Sequence, residues 1–238
     1  MHGLEGWRRY AVYWTPAPGP LAAVGAAWLG WDAEAGAEAA QPDVPGLPEP
    51  LAAVTAAPRA YGLHATIKPP FRLAEGTGPA ALDEALAALA ARLAPVVLPG
   101  LAIAAIGPWQ TLLPEGDEAG LNALAAEVVA GLDAFRAPPS AAEIARRNPD
   151  ALTARQRALL DRWGYPHVME EFRFHITLSG PHGGGAPPAA IIAAAAAHVG
   201  PHLPRPFVLD ALSLCGEGGD GRFRVLRRHR LGEARGAA

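Results

Sequence analysis

Leu63-His64-Ala65-Thr66-Ile67 and its echo Phe174-His175-Ile176-Thr177-Leu178 decide how this chain is read. Each sets a histidine and a threonine two apart among apolar residues. Strand side chains alternate with a period of two, so His64 and Thr66 share one face, about 6.5–7 Å apart along the chain, while Leu63, Ala65 and Ile67 share the other. The second copy alternates further, with Arg173, His175, Thr177 and Ser179 against Phe172, Phe174, Ile176 and Leu178. Both predict half-buried strands with an apolar face in a core and a polar face toward a cleft. A lone strand histidine is usually structural. With eight histidines and seven threonines in 238 residues, random placement gives about 0.24 His-x-Thr pairs, and two occur in matching context.

Composition narrows the class. Half the residues are hydrophobic and 18% charged, which suits a globular chain able to bury a substantial core. A net charge of −3 supplies no broad field for nucleic acid. The single cysteine, Cys215, excludes an intramolecular disulfide framework and suits a reducing cytoplasm. The opening residues 1–9 lack a signal-peptide apolar core, and the longest apolar run, 186–197, is too short to span a bilayer. A cytoplasmic monomer without membrane contact is expected.

The strand signals fall at Tyr10–Trp14, 62–68, 96–106 (broken by Pro99-Gly100), Trp109–Leu113, 172–178, Phe207–Leu214 and Arg222–Leu231. Helical spacing marks Pro20–Trp31, Pro79–Leu93, Glu118–Phe135 and Pro187–Val199, and 32–60 reads as a loop. Strand, helix, His-x-Thr strand, helix, strand thus occurs twice. The expected architecture is α+β, a single bilobal domain over 1–238. Lobe one runs 10–106 and lobe two 107–231, each an antiparallel sheet backed by helices, with a central cleft between pseudo-symmetric lobes. Residues 138–166 are a charged helical insertion within lobe two. Ser140 with Glu143 has the capping-box spacing, and Thr153 precedes a second helix. Bracing of the second lobe is favoured for it over a lid or substrate-selecting arm beside His175.

Two histidines suit concerted acid-base work, because an imidazole titrates near neutrality and one ring can be neutral while the other is protonated. A threonine hydroxyl beside each can donate to a non-bridging phosphoryl oxygen, where transition-state charge collects. Facing pairs suit in-line displacement at a phosphodiester, a strained cyclic one above all. That chemistry needs no metal.

These φ-His-x-Thr-φ motifs, half a chain apart in a repeated layout, resemble the 2H phosphoesterase superfamily, which includes RNA 2′,3′-cyclic phosphodiesterases and 2′-5′ RNA ligase-like proteins. The longer stretches Arg59–Phe71 and Trp163–Gly180 are similar to a bacterial branch encoded with phosphonate-metabolism genes. The resemblance implies His64 and His175 as catalytic acid and base, Thr66 and Thr177 as phosphate ligands, and hydrolysis of a small cyclic phosphodiester such as a ribose or nucleotide cyclic phosphate. It implies a small phosphorylated substrate as partner, and RNA less readily. Which histidine is acid and which base stays open. Lys68 and Arg173 extend the two polar faces and can steer an anion or be plain solvated charges. Tyr61 can stack on a base or sugar or pack in the core, and Ser179 ends the second polar face. RNA cyclic-phosphate or ligase-like processing is the alternative enzyme, and a non-catalytic nucleotide or sugar-phosphate sensor the alternative of another class.

Other signals are weaker. His198 and His202 have the spacing of helical metal ligands, but Gly200-Pro201 breaks the helix and no Cys or acidic cluster completes a set. No metal or cofactor is expected. Gly183-Gly184-Gly185 lacks a dinucleotide or P-loop pattern and reads as a turn. Arg222, Arg224, Arg227, Arg228 and Arg230 fit the charge of an edge strand better than an RNA track.

Overall fold

The first strand, β1 (Arg9–Trp14), is buried along all but its first residue. Helix α1 (Pro20–Leu29) follows, with Pro20 in its first turn and Gly30 ending it at φ 77°. Proline has no N–H to lose at a helix start, and glycine accepts left-handed backbone at its end. The computed structural model describes residues 2–47, 49–181 and 188–232. The glycine run 183–185 lies outside them.

The stretch expected as a loop holds a small hairpin, β2 (Trp31–Asp32) with β3 (Ala37–Glu38), and two single-turn helices, α2 (Leu51–Val54) and α3 (Ala56–Arg59). Such short elements carry no readable period. Polar bonds hold them: Arg59 donates to the carbonyls of Leu29 at 2.9 Å and Ala52 at 2.7 Å. Then come β4 (Ala65–Phe71), α4 (Pro79–Ala90), β5 (Val96–Leu98), β6 (Leu101–Ile106), β7 (Trp109–Pro114) and α5 (Ala119–Gly131). The insertion supplies α6 (Ala141–Ala145) and α7 (Ala154–Trp163), each opened by a complete capping box, Ser140 with Glu143 and Thr153 with Gln156. The chain closes with β8 (Ile176–Thr177), α8 (Pro188–His198), β9 (Phe207–Leu209), β10 (Ala211–Glu217) and β11 (Phe223–Arg230).

Seven strands form one antiparallel sheet in the order β11-β10-β1-β4-β8-β7-β6, and β5 pairs separately with β9. The protein is therefore α+β with a large antiparallel sheet. It differs from the expected separate sheet in each lobe, because β4 and β8 lie side by side and join the halves. The halves also exchange strands: β6 pairs with β7, and β10 pairs with β1. Hydrophobic alternation tells which face a strand buries, not which strand it pairs with. Pairing β4 with β8 also removes two open edges.

One face of the sheet carries the main core. Val12, Ile67, Leu112, Phe174, Ile176 and Leu214 meet apolar residues of the helices, among them Trp28, Leu82, Leu124 and Ile191. Each such side chain contributes about 1.5–3 kcal/mol by leaving water. A smaller cluster, Ala11, Tyr13, Cys215, Phe223 and Val225 with Tyr61 against it, lies apart from that core. Cys215 is a free thiol there, pushed up by burial and so unreactive. No helix among the described residues is long and apolar enough to cross a membrane.

Candidate active site

Ala65 of β4 pairs with Ile176 of β8. Continuing that antiparallel register by one residue on either side sets His64 opposite Thr177 and Thr66 opposite His175. Directly opposed Cβ atoms in such a ladder stand about 4.5–5.5 Å apart and diagonal neighbours about 7–8 Å. Since Ala65 and Ile176 are both buried in the core, the four polar residues project from the other face as one patch, each histidine flanked by a threonine from both strands. Only Ile176 and Thr177 form the ladder of β8, although the alternation extends as expected: Phe172, Phe174, Ile176 and Leu178 are all buried.

The two imidazoles are anchored alike. Nδ1 of His64 bonds the carbonyl of Gly62 at 2.9 Å, and Nδ1 of His175 bonds that of Arg173 at 2.8 Å. A carbonyl only accepts, so each Nδ1 carries a hydrogen and Nε2 is the atom left for chemistry. Glycine is needed at 62, where φ is +71° and an added Cβ would meet Ala33 at 2.9 Å. Glycine at 25 lets α1 settle on Leu63, whose side chain would lie 2.4 Å from a Cβ there.

His64 sits among aromatic rings. Its ring centroid is 4.3 Å from that of Tyr13 and 5.3 Å from that of Tyr61, which also stacks on Phe223 at 5.0 Å. Burial lowers the His64 pKa to about 4 against the pull of the Gly62 bond, and the neighbouring His175 charge lowers it further. The His64 ring is thus neutral at pH 7. The Tyr13 hydroxyl is buried without a hydrogen-bond partner among the described residues, and burial raises its pKa well above the usual phenol value. The Thr66 and Thr177 hydroxyls are half-buried and make no side-chain hydrogen bond among the described residues.

Two expected site residues are corrected. Tyr13 pairs with Thr66 and Val12 with Lys68, so one step along β1 matches two along β4. This bulge breaks the period-two alternation that put Lys68 on the polar face. Lys68 is instead 1% exposed, donates to the Val129 carbonyl at 2.9 Å and lies 3.7 Å from Asp133. Ser179 is fully buried and bound to Gln110 through both the side-chain amide oxygen and the backbone N–H. It fastens β7 to the end of β8. Arg173 is exposed with no ion pair among the described residues, which leaves it available to an anion. Tyr61 meets His64 and also lines a neighbouring cavity.

Residues far apart in the chain assemble that cavity. It holds about 400 Å³ and is lined by Tyr61 with Arg9, Arg72, Arg136, Arg146 and Arg147. The one sequence signal was the Arg146-Arg147 pair directly after the capped helix α6. Four of the five C-terminal arginines are engaged elsewhere: Arg222 pairs with Glu38, Arg224 with Asp220, Arg227 with Asp83 and Arg228 with Glu34. Among the described residues no group of three or more His, Cys, Asp or Glu side chains is placed to hold a metal ion.

Residues 66–224 match the family model described as "Protein of unknown function (DUF1045)", and the chain belongs to that family. It is 38% identical over 177 residues to a protein of Janthinobacterium sp. (strain Marseille) named ribose 1,5-bisphosphate phosphokinase PhnN, covering 74% of this chain and 39% of the relative. A protein of the same name from Laribacter hongkongensis (strain HLHK9) is 38% identical over 172 residues, 72% of this chain and 40% of the relative. The chain therefore spans about two fifths of the length of these curated relatives. A solved structure titled "Crystal structure of phosphoesterase" aligns over 72% of this chain and 78% of its own at 17% identity, with a TM-score of 0.37.

Proposed function

We propose that the protein hydrolyses a small cyclic phosphodiester as a 2H-type phosphoesterase, with His64 as general base and His175 as general acid. The observation carrying this reading is the crosswise pairing of the two His–Thr motifs with both Nδ1 atoms bound to backbone carbonyls. Nε2 of neutral His64 takes a proton from water as the water oxygen attacks phosphorus. The ring P–O bond opposite breaks, and Nε2–H of His175 protonates the departing oxygen, giving a phosphomonoester and a free hydroxyl. Thr66 and Thr177 donate to the non-bridging oxygens, where negative charge grows. Acid, base and hydroxyl donors are all side chains, so the scheme calls on no metal.

The names of the relatives support a ribose phosphate as substrate framework, in keeping with the phosphonate-metabolism setting implied by the motif resemblance. Their kinase title describes whole proteins of which this chain matches two fifths. A P-loop needs a Gly-Lys-Ser/Thr step, and the one lysine here, Lys68, follows Ile67 and is buried. Phosphoryl transfer from a nucleotide is therefore not proposed.

The test is turnover of nucleoside 2′,3′-cyclic phosphates and a ribose 1,2-cyclic phosphate in the presence of chelator, with products assigned by ³¹P NMR. Conversion of a cyclic diester to a monoester supports the reading. Binding without turnover moves the protein to a sensor.

A further inference from the structure

The cavity beside Tyr61 is strongly cationic, and its charge is not fully answered by neighbouring carboxylates. Arg9 is held by Glu217 in two bonds of 2.5 and 2.8 Å, Arg72 by Glu143 at 3.1 Å and Arg136 by Asp133 at 2.8 Å. Glu143, the carboxylate in the lining, is occupied. Burial opposes its ionisation, but bonds from the Ser140 backbone and Arg72 prevail and bring its pKa to about 2. Arg146 is exposed, and neither it nor Arg147 has an ion-pair partner among the described residues. The Arg147 guanidinium is placed 4.5 Å over the Tyr165 ring, which limits its freedom. Planar guanidinium groups converging on a concave space suit the oxygens of a phosphate.

The cavity also adjoins the His–Thr patch. Tyr61 belongs to both, stacked 20° from the plane of His64 while lining the cavity. Arg9 lies on the same strand as Tyr13, roughly 13 Å away by strand rise, and an arginine side chain shortens that gap.

We propose that the arginine cavity is a second anion subsite, completed by Arg146 and Arg147 of the insertion, that holds a terminal phosphate monoester of the substrate while the cyclic phosphodiester lies on the His–Thr patch. This rests on the reading of that patch given above. The insertion is then a selector of phosphorylated over unphosphorylated substrates rather than a brace alone.

Two measurements test it. First, ribose 5-phosphate, which carries a monoester and no cyclic diester, is titrated calorimetrically into wild type, R146Q/R147Q, the single reversal R146E and H64Q. The expected result is a Kd at least tenfold weaker in both arginine variants and changed less than threefold in H64Q. An unchanged Kd in the arginine variants overturns the proposal, as does absence of binding to wild type or weakening confined to H64Q. Second, the ratio of kcat/KM for a 5′-phosphorylated against an unphosphorylated nucleoside 2′,3′-cyclic phosphate is expected to fall at least tenfold in R146Q/R147Q. A ratio that does not move overturns it. If no cyclic phosphate is hydrolysed at all, the function reading fails, and the titration alone decides the subsite.

Discussion

Ala65 and Ile176 are cross-strand partners at the centre of the sheet, and both are buried. Because this apolar pair faces the core, the residues on either side of it face the opposite way, which brings His64, Thr66, His175 and Thr177 together from positions more than a hundred residues apart.

Among the described residues the threonine hydroxyls bond no other side chain, so removing them removes little stability. Thr66→Val and Thr177→Val keep the branched shape that a strand favours. Each is expected to lower kcat/KM by about 10–10³-fold with Tm nearly unchanged. Full activity in both variants, read beside their melting curves, would take the hydroxyls out of the chemistry.

His64 also links stability to pH. Its pKa is about 4 in the fold against 6.5 unperturbed. Between those values the unfolded chain binds more protons, so the contribution is complete above pH 6.5 and is lost as pH falls toward 4. The amount is on the order of 1–3 kcal/mol, discounted for partial exposure of the ring. Wild type is expected to lose more Tm than His64→Gln between pH 7 and 4.5, and parallel losses would contradict the shift.

Burial is the leading cause of that low pKa, and Tyr61 supplies part of the burial. Tyr61→Ala admits water and is expected to raise the His64 pKa toward 6.5, as followed by ring-proton NMR titration. Tyr61→Phe keeps the ring stack and is expected to leave it low. A rise in both would assign the effect to the hydroxyl instead.

Lys68 tests the corrected register. Burial lowers its pKa to about 8, with Asp133 opposing the shift, and Asp133 keeps Arg136 at 2.8 Å and Arg162 at 3.2 Å if Lys68 is replaced. Lys68→Met retains the stem and is expected to cost less than about 1.5 kcal/mol in urea unfolding. Lys68→Ala leaves a cavity and is expected to cost about 2–4 kcal/mol. Lys68→Met should keep turnover within about threefold, whereas a hundredfold loss would return Lys68 to the substrate face.

Much of this was legible in the chain itself. Alternation around His64 and His175 identified the faces of β4 and β8, and capping boxes at Ser140 and Thr153 marked the starts of α6 and α7. Pairing was not legible, because β6 and β10 carry apolar patterns that fit any neighbour. Lys68 was misread because a bulge between Val12 and Tyr13 is a property of two strands together. Ser179 was misread because a polar side chain satisfied by buried Gln110 looks, in sequence, like one facing a cleft. The arginine cavity draws on residues 9, 72, 136, 146 and 147, which only tertiary structure assembles.

The most direct measurement of the central claim is chelator-resistant hydrolysis of a cyclic phosphodiester by wild type, His64→Gln, His175→Gln and the double variant. Each single substitution is expected to lower kcat by about 10²–10⁴-fold. The double variant should lose little more than the worse single, because the two rings serve one step. Either single variant retaining kcat within tenfold of wild type would contradict that claim.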